Sequence, residues 1–175
     1  MNEITIRTVR PDDLTGCHTV EQACFPPDEA ADEDGIRTRI ERFPQGFLVA
    51  ERNGMIIGQI NSGATHKNDI TDEAFKKLVG HCNDGCNVVI FSLSVLPAYQ
   101  GRGIAASLMR EFITEARKQS RKSVLLLCKD DLIDFYERLG FCNRGLSAST
   151  HGGARWYEMA LPVSASFAGS VARNT

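Results

Sequence analysis

Apolar residues in this chain switch repeatedly between a two-residue and a 3.6-residue spacing, and the switches predict its elements. Ile4-Thr5-Ile6-Arg7-Thr8-Val9 reads as a first strand. Pro11 and Asp12-Asp13 open a helix on which Leu14, Cys17, Val20, Glu21 and Cys24 keep helical spacing, and Phe25-Pro26-Pro27 ends it. A second helix is expected over residues 28–43, with Gly35 as the point where it could divide in two. Residues 47–51 and 55–60 read as the arms of a hairpin around Arg52-Asn53-Gly54. Residues 61–87 are polar and mixed, with a short helix expected at 72–79 and a loop at 80–87. Residues 88–95 form a near-continuous apolar strand, of the kind buried on both faces. Ile104, Leu108, Met109, Phe112, Ile113 and Ala116 lie on one stripe of a helix whose main run is 106–119. A second buried strand follows at 123–128, and a strand, helix, strand order places the two strands parallel. A short helix at 132–139, capped by Asp130 or Asp131 and closed by Gly140, precedes strands at 141–146 and 155–161, which are expected to pair antiparallel.

Length and charge narrow the functional classes. The 175 residues fit one domain over 1–162 with a small, polar tail at 163–175. Apolar and charged fractions of 42% and 24% are those of a soluble globular protein. A net charge of -2 argues against general nucleic-acid binding. No apolar run approaches the ~20 residues of a membrane span, and Met1-Asn2-Glu3-Ile4-Thr5 begins no signal peptide. A cytoplasmic protein with six reduced cysteines (17, 24, 82, 86, 128 and 142) is the expectation. His81-Cys82 and Cys86 lack a second ligand pair at a finger-like spacing, so no metal is expected. The acids among residues 28–34 read as a solvated helix start; the functional alternative is a rim that attracts a cationic amine.

The chemistry concentrates at Val95-Leu96-Pro97-Ala98-Tyr99-Gln100-Gly101-Arg102-Gly103-Ile104-Ala105, which joins an apolar strand to a helix. Glycine allows positive φ and close ligand approach. A helix start presents free N–H groups and a positive dipole end to an anion. The spacing is neither a dinucleotide G-x-G-x-x-G nor a Walker A loop. Gln-x-x-Gly-x-Ala, preceded by Leu-Ser-Val-Leu-Pro-x-Tyr, instead resembles the acetyl-CoA signature of GNAT-type N-acetyltransferases. Residues 125–141, which include Cys128, Phe135-Tyr136 and Leu139-Gly140-Phe141, look like the closing motif of that superfamily, most similar to its arylalkylamine (serotonin) branch.

The resemblance implies an α/β (α+β) fold with a mixed, mostly antiparallel sheet flanked by helices. Two central parallel strands splay apart to admit acetyl-CoA. It implies a pyrophosphate on Gln100, Gly101, Arg102, Gly103, Ile104 and Ala105. Pantetheine and the acetyl carbonyl would lie on Leu93, Ser94 and Val95, with Leu127, Cys128 and Lys129 on the opposite wall. Tyr136 would be the general acid; without the family it reads as core. The implied reaction is direct transfer from acetyl-CoA to a small primary amine, by a monomer or homodimer. A polyamine, a protein amine or a non-catalytic acyl-CoA sensor are the alternatives. The branch places histidines where this chain has Val89 and Phe91, so the base is unassigned. Ser92 and Ser94 could order a water, and His66 and His81 could reach the cleft from their loop. Cys128 reads as inert packing.

Overall fold

The computed structural model describes residues 3–164. Its strands are β1 (Thr5–Thr8), β2 (Phe47–Arg52), β3 (Met55–Thr65), β4 (Asn87–Val95), β5 (Ser123–Cys128), β6 (Cys142–Leu146) and β7 (Tyr157–Pro162). Its helices are α1 (Leu14–Cys24), α2 (Glu33–Arg42), α3 (Ile104–Lys118) and α4 (Ile133–Arg138). The seven strands form one sheet in the order β1-β2-β3-β4-β5-β7-β6. Neighbours are antiparallel, except β4 and β5, which the α3 crossover makes parallel.

Alternation along the strands divides the core between two faces. Phe47, Val49 and Ile56 pack under α1 and α2 with Cys17, Val20, Ile36 and Ile40. Leu48, Ala50 and Ile57 point the other way, onto Leu108, Met109, Phe112 and Ile113 of α3. Tyr136 and Phe141, in and after α4, extend that second layer.

Several elements differ from the sequence reading. α2 begins at Glu33, not at residue 28, because the Asp32 side chain accepts the Gly35 amide at 2.7 Å and stops the helix there. Gly35 therefore sits inside the first turn and interrupts nothing. β3 runs on through polar residues to Thr65. Its buried polar side chains find tertiary partners that periodicity does not reveal: Ser62 donates to the Gly46 carbonyl, and Asn61 accepts from Arg39. The segment expected at 72–79 is a 3-10 turn, Glu73–Lys77, capped by Asp72. Neither Asp130 nor Asp131 caps α4; they form a 3-10 turn, Asp130–Leu132, ahead of it. α3 starts at Ile104, two residues early, because Gly103 takes φ 79° and the helix follows at once. Val163, assigned to the tail, is buried and donates its N–H to Lys122 O at 3.0 Å. Residues 165–175 of the expected tail lie outside the described residues.

Candidate active site

The site begins as a defect in strand pairing. β4 and β5 pair only from Asn87↔Ser123 to Ile90↔Leu126. At that level β3 pairs Asn61 with Ser92 and Ser62 with Ile90, so Phe91 is an extra residue, a bulge that bends β4. Beyond it Leu93–Val95 stay with β3, whereas Leu127 and Cys128 stay with β7. The two parallel strands separate and leave a gap in the sheet.

A cavity lies on each side of the gap. The larger, about 570 Å³, is walled by the end of α1, by α2, and by the separated strands from Phe91 to Leu93 and from Leu127 to Cys128. The smaller, about 350 Å³, is walled by Val95, Gln100, Gly101, Gly103, Ile104, Ala105 and Phe135. Leu93, Leu132 and Tyr136 line both, so a molecule spanning the two would pass Tyr136. Gly101 and Gly103 have φ of 74° and 79°, and a Cβ at either would meet only open space. Glycine is required there by backbone conformation, and the bare turn leaves the first amides of α3 uncovered.

The acetyltransferase (GNAT) family profile matches residues 14–141, which contain both halves of this gap. The chain belongs to the GNAT family. It is 28% identical over 117 residues to the uncharacterized N-acetyltransferase YkwB of Bacillus subtilis, covering 61% of this chain and 52% of YkwB. Across three curated relatives the chain spans 26% to 52% of their length. The loading GNATL domain of CurA from Lyngbya majuscula superposes with a TM-score of 0.81 at 17% identity, over 93% of this chain and 98% of that one. YncA of Salmonella typhimurium, crystallised with acetyl-CoA, superposes with a TM-score of 0.68 at 21% identity, over 97% of this chain and 99% of that one.

In this GNAT domain the residues expected at the site fall into four groups. Val95, Gln100, Gly101, Gly103, Ile104 and Ala105 face the smaller cavity. Leu127, Cys128 and Lys129 face the larger, and Leu93 and Tyr136 face both. Ser94 and Arg102 line neither: the Ser94 hydroxyl is buried 3.4 Å from that of Ser92, and Arg102 is exposed with its guanidinium 5.5 Å from the centre of the Tyr99 ring. The Val95 carbonyl accepts from Gln100 Nε2 at 2.9 Å and from Cys24 Sγ at 3.1 Å, which ties the glycine turn and the end of α1 to the strand. Burial drives the Tyr136 hydroxyl well above its ordinary pKa, with Cys128 adding to the effect, so it holds its proton at neutral pH. Burial also pushes the Cys128 thiol up to about 11 and raises that of Cys24. Neither cavity cysteine is a thiolate.

His66 and His81 do not reach the cavities. His81 Nδ1 accepts the Ala64 amide at 3.0 Å and its ring packs on Phe43, while His66 accepts the Cys86 amide at 3.3 Å. Among the described residues, the zinc-like pattern does not converge as spaced; His66, Cys82 and Asp84 approach one another instead, and Cys82 donates its thiol proton to Asp84.

Glu21, Glu29, Arg39, Glu73, His151 and Trp156 line the larger cavity and were not assigned to the site from sequence. Glu21 is 3% exposed; its Oε2 accepts from Ser92 Oγ at 2.8 Å and Gln59 Nε2 at 3.2 Å, and its Oε1 from the Ala31 amide at 3.1 Å. Arg39 is equally buried. At the mouth, Lys129 pairs with Glu29 at 2.7 Å beneath Trp156, and His151 pairs with Glu73 at 2.9 Å. Glu21 and Arg39 did leave a signal: each is a charge on an apolar stripe, beside Cys17 and Val20 in one helix and Ile36 and Ile40 in the other.

Proposed function

We propose that this domain transfers an acetyl group from acetyl-CoA directly to a small primary amine with an apolar, arylalkyl body. The reading is carried by one observation: a cavity against a bare glycine turn and a second, larger cavity meet at the buried Tyr136, where β4 and β5 separate. The pyrophosphate would lie on the backbone from Gln100 to Ala105, at the start of α3. Pantetheine would run between Leu93, Ser94 and Val95 on one side and Leu127, Cys128 and Lys129 on the other. Phe25, Phe91, Leu127 and Trp156 line the larger cavity and suit an apolar body.

An alkylammonium, with a pKa near ~10.4, has no lone pair at neutral pH. Glu21 is the buried carboxylate lining the acceptor cavity and takes that proton, directly or through Ser92 and a water. The amine attacks the thioester carbonyl, and an N–H of the 93–95 backbone receives the oxyanion. Collapse of the adduct forms the amide and expels the CoA sulfur, which takes the Tyr136 proton; the proton left on the new amide nitrogen restores the tyrosine through solvent. With Cys128 held as a thiol, no acyl-enzyme is needed.

CoA thiol release is measured with phenethylamine, tryptamine, spermidine and a lysine peptide. Turnover with the aromatic amines and little with spermidine is expected. Preference for spermidine would replace the arylalkyl assignment with a polycation. Tight acetyl-CoA binding without release for any amine would replace transfer with sensing.

A further inference from the structure

The larger cavity holds a charge that acetyl transfer to a simple amine leaves without a task. Arg39 lines that cavity and is 4% exposed. Its Nη1 donates to Asn61 Oδ1 at 2.9 Å and its Nε to the Lys76 carbonyl at 3.2 Å, and neither acceptor is charged. Nη2 makes no hydrogen bond to a described residue, and no carboxylate of the described residues pairs with the guanidinium within 4.0 Å. Its guanidinium carbon lies 4.8 Å from the centre of the Phe91 ring, and Glu21 and Asp32 act on it only through space. Both are committed elsewhere, Glu21 to Ser92, Gln59 and Ala31, and Asp32 to the cap of α2. Glu29 and Glu73 are held by Lys129 and by Lys76 and His151. Burial lowers the Arg39 pKa to about 10, still well above neutral pH, so the charge persists. A buried guanidinium with no carboxylate at ion-pair distance is expensive, and an anion in the cavity offsets that cost.

We propose that Arg39 is the subsite for a carboxylate on the acceptor, so that the amine acetylated here belongs to an amino acid. The inference rests on the acyl-transfer reading above. A guanidinium fork with a free Nη2 matches a carboxylate in a way that a lysine would not. Glu21 lines the same cavity, so the two opposite charges complement a zwitterion, ammonium towards Glu21 and carboxylate towards Arg39. A polycation would meet the Arg39 charge at close range.

The test compares phenylalanine, tryptophan and methionine, each with its decarboxylated amine, by CoA release from acetyl-CoA. At least a tenfold higher kcat/KM for one or more amino acids over their amines is expected in the native protein. In Arg39→Gln that ratio collapses towards one through KM, and Arg39→Lys recovers only part of it. Turnover of the amines that equals or exceeds that of the amino acids in the native protein overturns the carboxylate subsite and leaves acyl transfer standing. If no acceptor turns over, acyl transfer fails. Calorimetry of the native protein with CoA then decides the subsite by itself. Binding of N-acetylphenylalanine at least tenfold tighter than N-acetylphenethylamine supports it, and equal or absent binding overturns it.

Discussion

At the residue scale, the site depends on side chains whose surroundings hold them in one protonation state. In the proposed reaction Tyr136 is the acid, and burial holds its proton more firmly than an exposed phenol would. Tyr136→Phe removes that proton and little volume; kcat should fall by about 10²- to 10⁴-fold, with acetyl-CoA affinity measured by calorimetry nearly unchanged. In the proposed acetyl-CoA site Gly103 serves because it lacks a side chain. At φ 79° an alanine is strained by roughly 1–2 kcal/mol, and its methyl would stand in the open space above the turn. Gly103→Ala should weaken acetyl-CoA binding about tenfold or more, while Gly54→Ala, in the distant hairpin at a similar φ of 77° and also facing open space, controls for backbone strain alone. The glycine turn was legible because a turn motif is a local property of the chain, whereas Tyr136 was expected at the site only through the family resemblance. Glu21 and Arg39 were visible as charges on apolar stripes, but their convergence on one cavity depends on how α1 and α2 lie across the sheet.

At the element scale, two local devices set the shape of the site. One is the Asp32 cap, which ends the acidic loop and starts α2, the helix whose last turn carries Arg39 into the cavity. Asp32→Ala should cost about 1 kcal/mol in urea unfolding, and should loosen the 28–32 loop against the cavity, which proteolysis would report. The acids at 28–34 thus divide: Asp32, Glu33 and Asp34 serve the helix start, and Glu29 serves Lys129. The other device is the Phe91 bulge. Residues 88–95 read as one uninterrupted apolar strand because a bulge leaves no mark on composition; it is a statement about the partner strand's register. The same holds for β3, whose polar end lies beyond the strand read at 55–60 and finds hydrogen bonds on Gly46 and Arg39.

At the scale of the whole molecule, the first strand is fastened to the sheet and to the segment before α1 by charge. Burial alone would raise the Asp13 carboxyl. The Arg7 guanidinium at 2.8 and 2.9 Å and the Arg10 amide at 2.7 Å outweigh it and hold the pKa below the ordinary range. A carboxylate with a lowered folded pKa contributes stability above its unfolded value of about 3.9 and loses it as pH falls through the folded value. The urea midpoint of the native protein should therefore drop on acidification below about pH 4, and Asp13→Asn should flatten that drop while lowering the midpoint at pH 7. No helix among the described residues is long and apolar enough to cross a membrane.

The sequence by itself determined the periodic elements, the antiparallel hairpins, the α3 crossover and the glycine turn. These follow from short-range spacing, and a crossover between two buried strands leaves one handedness open to it. Family membership was legible for the same reason, since its motifs are contiguous. Only the tertiary structure decided where the parallel strands part, which acids and bases share a cavity, and that His66 and His81 stay outside it. Each of those depends on register or on burial between elements far apart in the chain, and a pairwise distance such as that from Glu21 to Ser92 has no local signature.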